Sequence, residues 1–255
     1  MGNAKGSSWE EWGQVDPLWA IVTQDGKEFG GWDLDEFFAT GQATINSLWA
    51  TASGLGLPRT HDRGLDFGCG IGRLTRALGA HVGQVTGVDI SPSMVSQAEA
   101  HHAHLDNLRF AVHGEPTLAA YGDGSFDVVC SLLVLQHLPS DDAITTTLRE
   151  LVRVLAAGGV LMLQLPDHLR ALPASPSLRM RLRPRTRLAQ ALHAAGVPPR
   201  FLYRRLGWKP EMTMRAMAEE AVCSLVADAG GRVAWSSDAS VDASGVRNIF
   251  YLITR

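Results

Sequence analysis

Three glycines spaced two apart, Gly68, Gly70 and Gly72, stand in the run Leu65-Asp66-Phe67-Gly68-Cys69-Gly70-Ile71-Gly72-Arg73. Glycine admits positive φ and lets a ligand approach bare backbone. Between a strand and a helix, such a turn also offers the unpaired N–H groups of a helix start. Alone, the pattern fits many turns. Asp66, two residues before the first glycine, narrows it. A carboxylate there repels a pyrophosphate and attracts a cationic amine, directly or through water. The run Val85-Thr86-Gly87-Val88-Asp89 ends in an acid 17 residues after Gly72. An acid at the end of a second strand can accept both hydroxyls of a ribose.

Two histidines stand where a proton could be taken from a substrate hydroxyl near neutral pH. His137 follows a fourth strand, and His168 follows a fifth with Asp167 beside it. Both fall at the carboxyl ends of strands, where open α/β sheets bind ligands. The alternative for each is a packed or capping side chain. His101, His102 and His104 are read as solvated surface, because adjacent helical residues diverge by about 100°. No metal site is expected. The tryptophans Trp9, Trp12, Trp19 and Trp32 form either a lid over an apolar substrate or an anchor for the N-terminal helix. Trp19 and Trp32 are the candidate substrate contacts.

The elements that must position these groups alternate. A helix opens near Glu36, capped by Asp33 or Asp35, and ends at Gly54 and Gly56. Strands are expected over Arg63–Phe67, Gln84–Asp89, Leu108–His113, Phe126–Cys130 and Val160–Leu165. Helices are expected over Gly70–Leu78, from Pro92 to about His104 behind a Ser91 cap, and from Ser140 or Asp141 to Leu155. A last helix over Thr213–Ala229 precedes strands at Arg232–Ser236 and Asn248–Thr254. Such alternation implies right-handed crossovers and a mostly parallel sheet.

These motifs together resemble the signature of class I S-adenosylmethionine-dependent methyltransferases. The acid with G-x-G-x-G corresponds to the family's first motif and Asp89 to its second. Phe126-Asp127-Val128-Val129 resembles its fourth strand, and Leu135-Gln136-His137-Leu138 the segment after it. Arg149 to Leu155 with Gly158-Gly159 resembles the helix and turn into strand five. The resemblance covers about Arg63 to Leu165, and more loosely Thr213 to Arg255. It implies a Rossmann-like, doubly wound, mostly parallel sheet of seven strands. It also implies S-adenosylmethionine as cofactor and S-adenosylhomocysteine as product. The expected cofactor contacts are Asp66, Gly68, Gly70, Gly72, Arg73, Asp89, Ile90, Met94, Gly114, Glu115, Ser131 and Leu132. Met94 lies either on an adenine face or in the core. The family often has Gly-Asp after strand three, whereas this chain has His113-Gly114-Glu115-Pro116. Glu115, displaced by one, or backbone takes that role.

Composition sets the remaining bounds. The 255 residues suit one large domain or a domain with a lobe. Residues 1–57 read as an N-terminal helical cap, 58–166 with 211–255 as the cofactor-binding core, and 167–210 as an insertion over the active site. That insertion carries ten basic residues and no acid from His168 to Pro210. Its arginines either receive an acidic or carrier-bound substrate or form a solvated cover. The net charge of −3 weighs against nucleic acid as the partner. The three cysteines have no metal-ligand spacing, and no leader or bilayer-spanning run is visible, so a cytoplasmic protein without membrane partner is expected. The reaction expected is methyl transfer to oxygen or nitrogen of a small-molecule acceptor, in specialised metabolism. The rivals are a nucleic-acid methyltransferase and a protein of this fold that binds the cofactor without transferring methyl. Nicotinamide chemistry is disfavoured by Asp66 and by the G-x-G-x-G spacing.

Overall fold

The computed structural model describes residues 6–169, 184–241 and 246–255. Strands β1 (Arg63–Phe67), β2 (Gln84–Asp89), β3 (Leu108–Val112), β4 (Phe126–Ser131), β5 (Leu155–Leu169), β6 (Arg232–Ser236), β7 (Ser240–Val241) and β8 (Val246–Thr254) form one sheet. Its order is β3-β2-β1-β4-β5-β8-β6, with β7 paired to β8 off that path. The first five strands run parallel, and β8 runs antiparallel to β5, β6 and β7. The Rossmann-like, mostly parallel expectation holds. Eight strands replace the seven expected, because the two-residue β7 adds a short edge beside β8.

Around the sheet lie α1 (Gly6–Val15), α2 (Pro17–Ile21), α3 (Leu34–Gly54), α4 (Arg73–Leu78), α5 (Pro92–His102), α6 (Asp141–Val154), α7 (Pro184–Ala194), α8 (Pro199–Leu206) and α9 (Glu219–Asp228). The caps are local chemistry. The Asp33 carboxylate accepts from the Glu36 N–H at 3.0 Å, and the Ser140 hydroxyl accepts from the Ala143 N–H at 3.1 Å. Each satisfies one of the orphan donors at a helix start.

Strand period 2 divides the core. On β4 and β5, Val128, Cys130, Val160 and Met162 face α3 and α4, against Ile45, Leu48, Leu74 and Leu78. Val129, Leu161 and Leu163 face the other way, against Ile144, Leu148, Leu151 of α6 and Val222, Val226 of α9. The α6 residues recur at helical spacing, so one stripe is buried and the opposite face is wet.

Several boundaries differ from the sequence expectation; helix α4, expected from Gly70, starts at Arg73, and β8, expected from Asn248, starts at Val246. Helix α6 stops at Val154, and β5 begins at once and runs to Leu169, because β8 pairs with it from Ile253 back to Val246. The register slips between Pro166 and His168, where proline has no N–H for the ladder. The last helix begins at Glu219 rather than Thr213, since Arg215 N–H and Met217 N–H donate to Gln136 and Pro166 carbonyls instead of to a helical turn.

The cap has its own core of Trp12, Trp19, Trp32, Phe37 and Tyr203. Tyr203 belongs to α8, so residues 199–206 pack on α1. Its hydroxyl donates to Asp16 Oδ2 at 3.0 Å, and Asp16 also accepts from the Gly30 N–H at 3.1 Å. Two hydrogen bonds satisfy a carboxylate that is only 3% exposed.

Candidate active site

A cavity of about 960 Å³ opens at the carboxyl ends of β1, β2 and β4. That volume lies at the upper end for small-molecule sites. One half of its wall comes from the motif residues Gly68, Gly70, Asp89, Ile90, Met94, Gly114 and Glu115. The other half comes from Trp9, Ala20 and Ile21 of the cap and from Leu132, Leu133, Val134, His137, Leu138 and Pro139 after β4.

The glycine turn needs glycine. Gly68, Gly70 and Gly72 have φ of 79°, 55° and 85°. A Cβ on Gly68 would lie 2.3 Å from Val134 Cγ2, and one on Gly70 would lie 2.6 Å from Ile21 Cδ1. Both side chains belong to the far half of the cavity, so the turn is where the two halves touch.

Asp89 closes the base of the turn. Its Oδ2 accepts from the Gly70 N–H at 2.8 Å and its Oδ1 from the Ser91 N–H at 2.9 Å. Burial pushes its pKa up, against the backbone hydrogen bonds from Ser91, Gly70 and Ile90. Each oxygen keeps a lone pair, so a vicinal diol can be received without breaking the turn. Beside it, the Ser91 hydroxyl caps α5 by accepting from the Met94 N–H at 3.2 Å. The Glu10 carboxylate of α1 accepts from the Ser91 hydroxyl at 2.7 Å and the Ser93 N–H at 3.0 Å. A cap helix therefore seats on the start of α5, where the helix dipole favours a negative charge.

The corner after β4 is strained. Leu133 has φ of 64°, a left-handed conformation that costs a side chain about 1 kcal/mol. Its N–H donates to Gln164 Oε1 at 2.7 Å, and Gln164 Nε2 donates to Asn248 Oδ1 at 2.5 Å. Gln164 is fully buried on β5. An unmet Leu133 N–H would cost more than the strain, so the glutamine holds the corner in place.

His137 sits past that corner, on a short 3₁₀ turn at Leu135–His137. Its Nδ1–H donates to the Thr213 carbonyl at 2.7 Å. That bond leaves a lone pair on Nε2, which accepts from Gln136 Nε2 at 3.3 Å. Burial lowers its pKa, partly offset by the Thr213 carbonyl. Trp9 meets the imidazole edge to face at 5.0 Å between centroids. His113 also lines the cavity, with its Nε2 buried and without a hydrogen-bond partner.

Several expected contacts do not reach the wall. Asp66 is buried beneath the turn, where its Oδ2 accepts from the Thr75 hydroxyl at 2.6 Å. Burial pushes its pKa up to about 6, against the Thr75 hydrogen bond and the Arg73 charge. Gly72 packs toward His102 and Phe110, and Arg73 turns away to the Thr40 hydroxyl at 3.3 Å. The Ser131 hydroxyl donates to the Phe67 carbonyl at 3.1 Å within the sheet. His168 is exposed on β5 opposite Arg247, away from the cavity, because β5 outruns the expected strand end. Trp19 and Trp32 lie in the cap core, their indole N–H groups donating to the Gln24 and Val22 carbonyls. Trp9, not these two, faces the cavity. Sequence reasoning missed Ile21, Val134 and His113 as wall residues. Only the His113-Gly114-Glu115-Pro116 run carried a signal, since it follows a strand end. Among the described residues no cluster could hold a metal ion, and no helix is long and apolar enough to cross a membrane. Arg170, Arg179, Arg181 and Arg183 lie outside the described residues.

Residues 65–163 match the family of methyltransferase domains. Over 102 residues the chain is 36% identical to a ubiquinone biosynthesis O-methyltransferase of Xanthomonas oryzae, covering 40% of this chain and 41% of that one. Over 99 residues it is 41% identical to a 2-methyl-6-phytyl-1,4-hydroquinone methyltransferase of Synechocystis, covering 38% and 30%. The chain thus spans about two fifths, or less, of the curated relatives it matches. Among solved structures, magnesium protoporphyrin IX methyltransferase of Synechocystis with bound S-adenosylmethionine superposes with a TM-score of 0.60. That match has 17% identity and covers 100% of this chain and 99% of that one. A Leishmania major S-adenosylmethionine-dependent methyltransferase superposes with a TM-score of 0.63 at 14% identity, covering 98% and 82%.

Proposed function

We propose that this chain, a member of the methyltransferase-domain family through residues 65–163, transfers a methyl group from S-adenosylmethionine to a hydroxyl of a small, planar acceptor. The observation that carries this reading is one cavity with two unlike halves. Asp89 and the bare backbone of Gly68 and Gly70 line one half, and the His137 imidazole with the Trp9 ring lines the other.

The residues present fit the cofactor. Asp89 would receive the ribose hydroxyls, Met94 and Ile90 would flank the adenine, and Gly68 and Gly70 would leave room for the amino-acid portion. The Glu115 carboxylate or the His113–Pro116 backbone would meet the adenine edge. The bound sulfonium supplies an activated methyl group and a good leaving group. What remains for this chain is alignment in a dry pocket and removal of one proton. His137 Nε2, left with the ring's lone pair by the Nδ1–H bond to Thr213, takes the hydroxyl proton once the substrate hydroxyl replaces the Gln136 amide there. Its depressed pKa keeps it unprotonated to lower pH than an ordinary histidine. Ile21, Val134, Leu138 and Pro139 give the acceptor an apolar slot, and Trp9 offers a ring to pack on. The name of one relative, a ubiquinone biosynthesis O-methyltransferase, favours an oxygen acceptor over nitrogen.

Calorimetric titration with S-adenosylmethionine and S-adenosylhomocysteine, with NADH as control, tests the cofactor half. Saturable binding of the sulfur compounds alone is expected. Mass spectrometry of phenolic and hydroquinone acceptors then tests transfer, with a gain of one methyl per hydroxyl expected. Cofactor binding without any methylated product across such a panel would reject the acceptor reading while leaving the cofactor half standing.

A further inference from the structure

A second cavity, of about 390 Å³, lies on the outer surface where α8 meets the end of α1. Val15, Arg200, Phe201, Arg204 and Arg205 line it. The pattern follows from helix geometry. Positions 200, 201, 204 and 205 are spaced i, i+1, i+4 and i+5 and share one face of α8. Leu202 and Tyr203 take the opposite face and are buried in the cap. The outer face therefore sets three guanidiniums around a phenyl ring that is 53% exposed.

One of the three has a task in the fold. Arg200 Nε donates to the Gln14 carbonyl, meeting an orphan acceptor near the end of α1. Among the described ion pairs none involves Arg204 or Arg205. Asp16, next to Val15, accepts from Tyr203 and the Gly30 N–H, and Glu11 sits 3.1 Å from His193 Nε2, so neither carboxylate pairs with these arginines. The sequence supplies no acid between His168 and Pro210 to neutralise this face. Like charges held together in a concave wall raise the local potential and make the site complementary to an anion.

We propose that this cavity binds a phosphate group, carried either by a free phosphorylated molecule or by a phospholipid headgroup. Guanidiniums match phosphate oxygens by paired N–H donors, which a lone lysine cannot do. Val15 and Phe201 give the wall an apolar part that inorganic phosphate leaves unused and a phospholipid or phosphorylated organic molecule fills. The site is separate from the methyl-transfer cavity and does not rest on the reading of that cavity, since the two share no wall residue.

Two probes applied to the full chain separate the sources. Inorganic phosphate is titrated by calorimetry at low salt. Vesicles of phosphatidylcholine with or without about a quarter phosphatidylglycerol are tested by co-sedimentation. Each is repeated with the double variant Arg204→Ala/Arg205→Ala, which leaves Arg200 on Gln14. Unchanged S-adenosylhomocysteine affinity, or an unchanged melting temperature, certifies that the variant is folded. The expected result is binding that weakens at least about tenfold in the double variant. Phosphate binding without vesicle binding assigns the site to free phosphorylated molecules. Sedimentation with the anionic vesicles alone assigns it to a headgroup. No binding of either probe, or binding equally strong in the double variant, would overturn the proposal.

Discussion

The two halves of the large cavity are built in opposite ways. The half we assign to the cofactor comes from consecutive strand ends: Gly68 and Gly70 follow β1, Asp89 ends β2, and Gly114 follows β3. Its groups are fixed by backbone hydrogen bonds, such as Gly70 N–H to Asp89. The half we assign to the acceptor is gathered from Trp9, Ile21, the Leu133–Pro139 corner and the carbonyl of Thr213, which lie far apart in the chain. Its geometry depends on side-chain packing and on one strained turn. A contiguous half can keep its chemistry while a dispersed half changes its substrate, which is how one fold serves many acceptors.

Substitutions can break or sharpen that contrast. The largest effect is expected at Asp89→Ala, which should weaken S-adenosylmethionine about a hundredfold or more, because both diol bonds and the hold on Gly70 go together. A melting curve should still show a folded protein; an affinity within twofold of the parent would remove Asp89 from the ribose site. His137→Ala should lower kcat about a hundredfold and leave cofactor affinity nearly unchanged. The pH profile sharpens this. A base whose pKa is lowered by burial loses activity only when pH falls below the ordinary histidine value of about 6.5. An acid limb at or above that value that persists in His137→Ala would return His137 to a packing role. Gln164→Leu should cut kcat about tenfold by leaving the Leu133 N–H unmet and letting the corner shift. The companion Leu133→Gly, relieved of left-handed strain, should stabilise the corner yet tolerate loss of Gln164 better. Equal losses in both backgrounds would mean that the corner does not carry the effect. Trp9→Ala should raise the acceptor KM several-fold and leave the cofactor Kd alone.

Asp66→Asn should weaken the cofactor far less than Asp89→Ala, below about tenfold, since this acid lies under the turn rather than on the wall. Its signature should appear in stability. The folded pKa of about 6 exceeds the model-peptide value of about 3.9, so the folded state binds more protons between the two. Stability from this group is present below the unfolded value and is lost as pH rises through 6. The asparagine variant should flatten that fall in melting temperature; an unchanged slope from pH 4 to 7 would show that Asp66 is not its source.

What the sequence disclosed follows the same division. Strand period, caps and the glycine run are local, so β1 through β4 and the Asp33 and Ser140 caps were legible. So was the placement of Asp89 at the end of the second strand, whereas its hydrogen bond to the Gly70 N–H is seen only in the fold. The exit of Asp66, Arg73 and Ser131 from the cavity was not, because side-chain direction at a turn depends on partners such as Thr75, Thr40 and Phe67. Nor could spacing rank four tryptophans. Trp9 faces the cavity and Trp19 the cap interior because α8 and Lys209 arrive from elsewhere, the Lys209 ammonium lying 3.9 Å from the Trp19 ring. The length of β5 was hidden for a similar reason, since only its pairing with β8 carries it to Leu169.

The hydrogen bond from Tyr203 to Asp16 spans 187 positions. A chain emerges from the ribosome in order, and its early parts fold before its late parts exist. Trp12 and Trp19 therefore wait, while the residues between are made, without the ring that covers them. Nascent chains stalled before Tyr203 should expose this tryptophan cluster to proteases and chaperones, and chains released a few residues later should hide it.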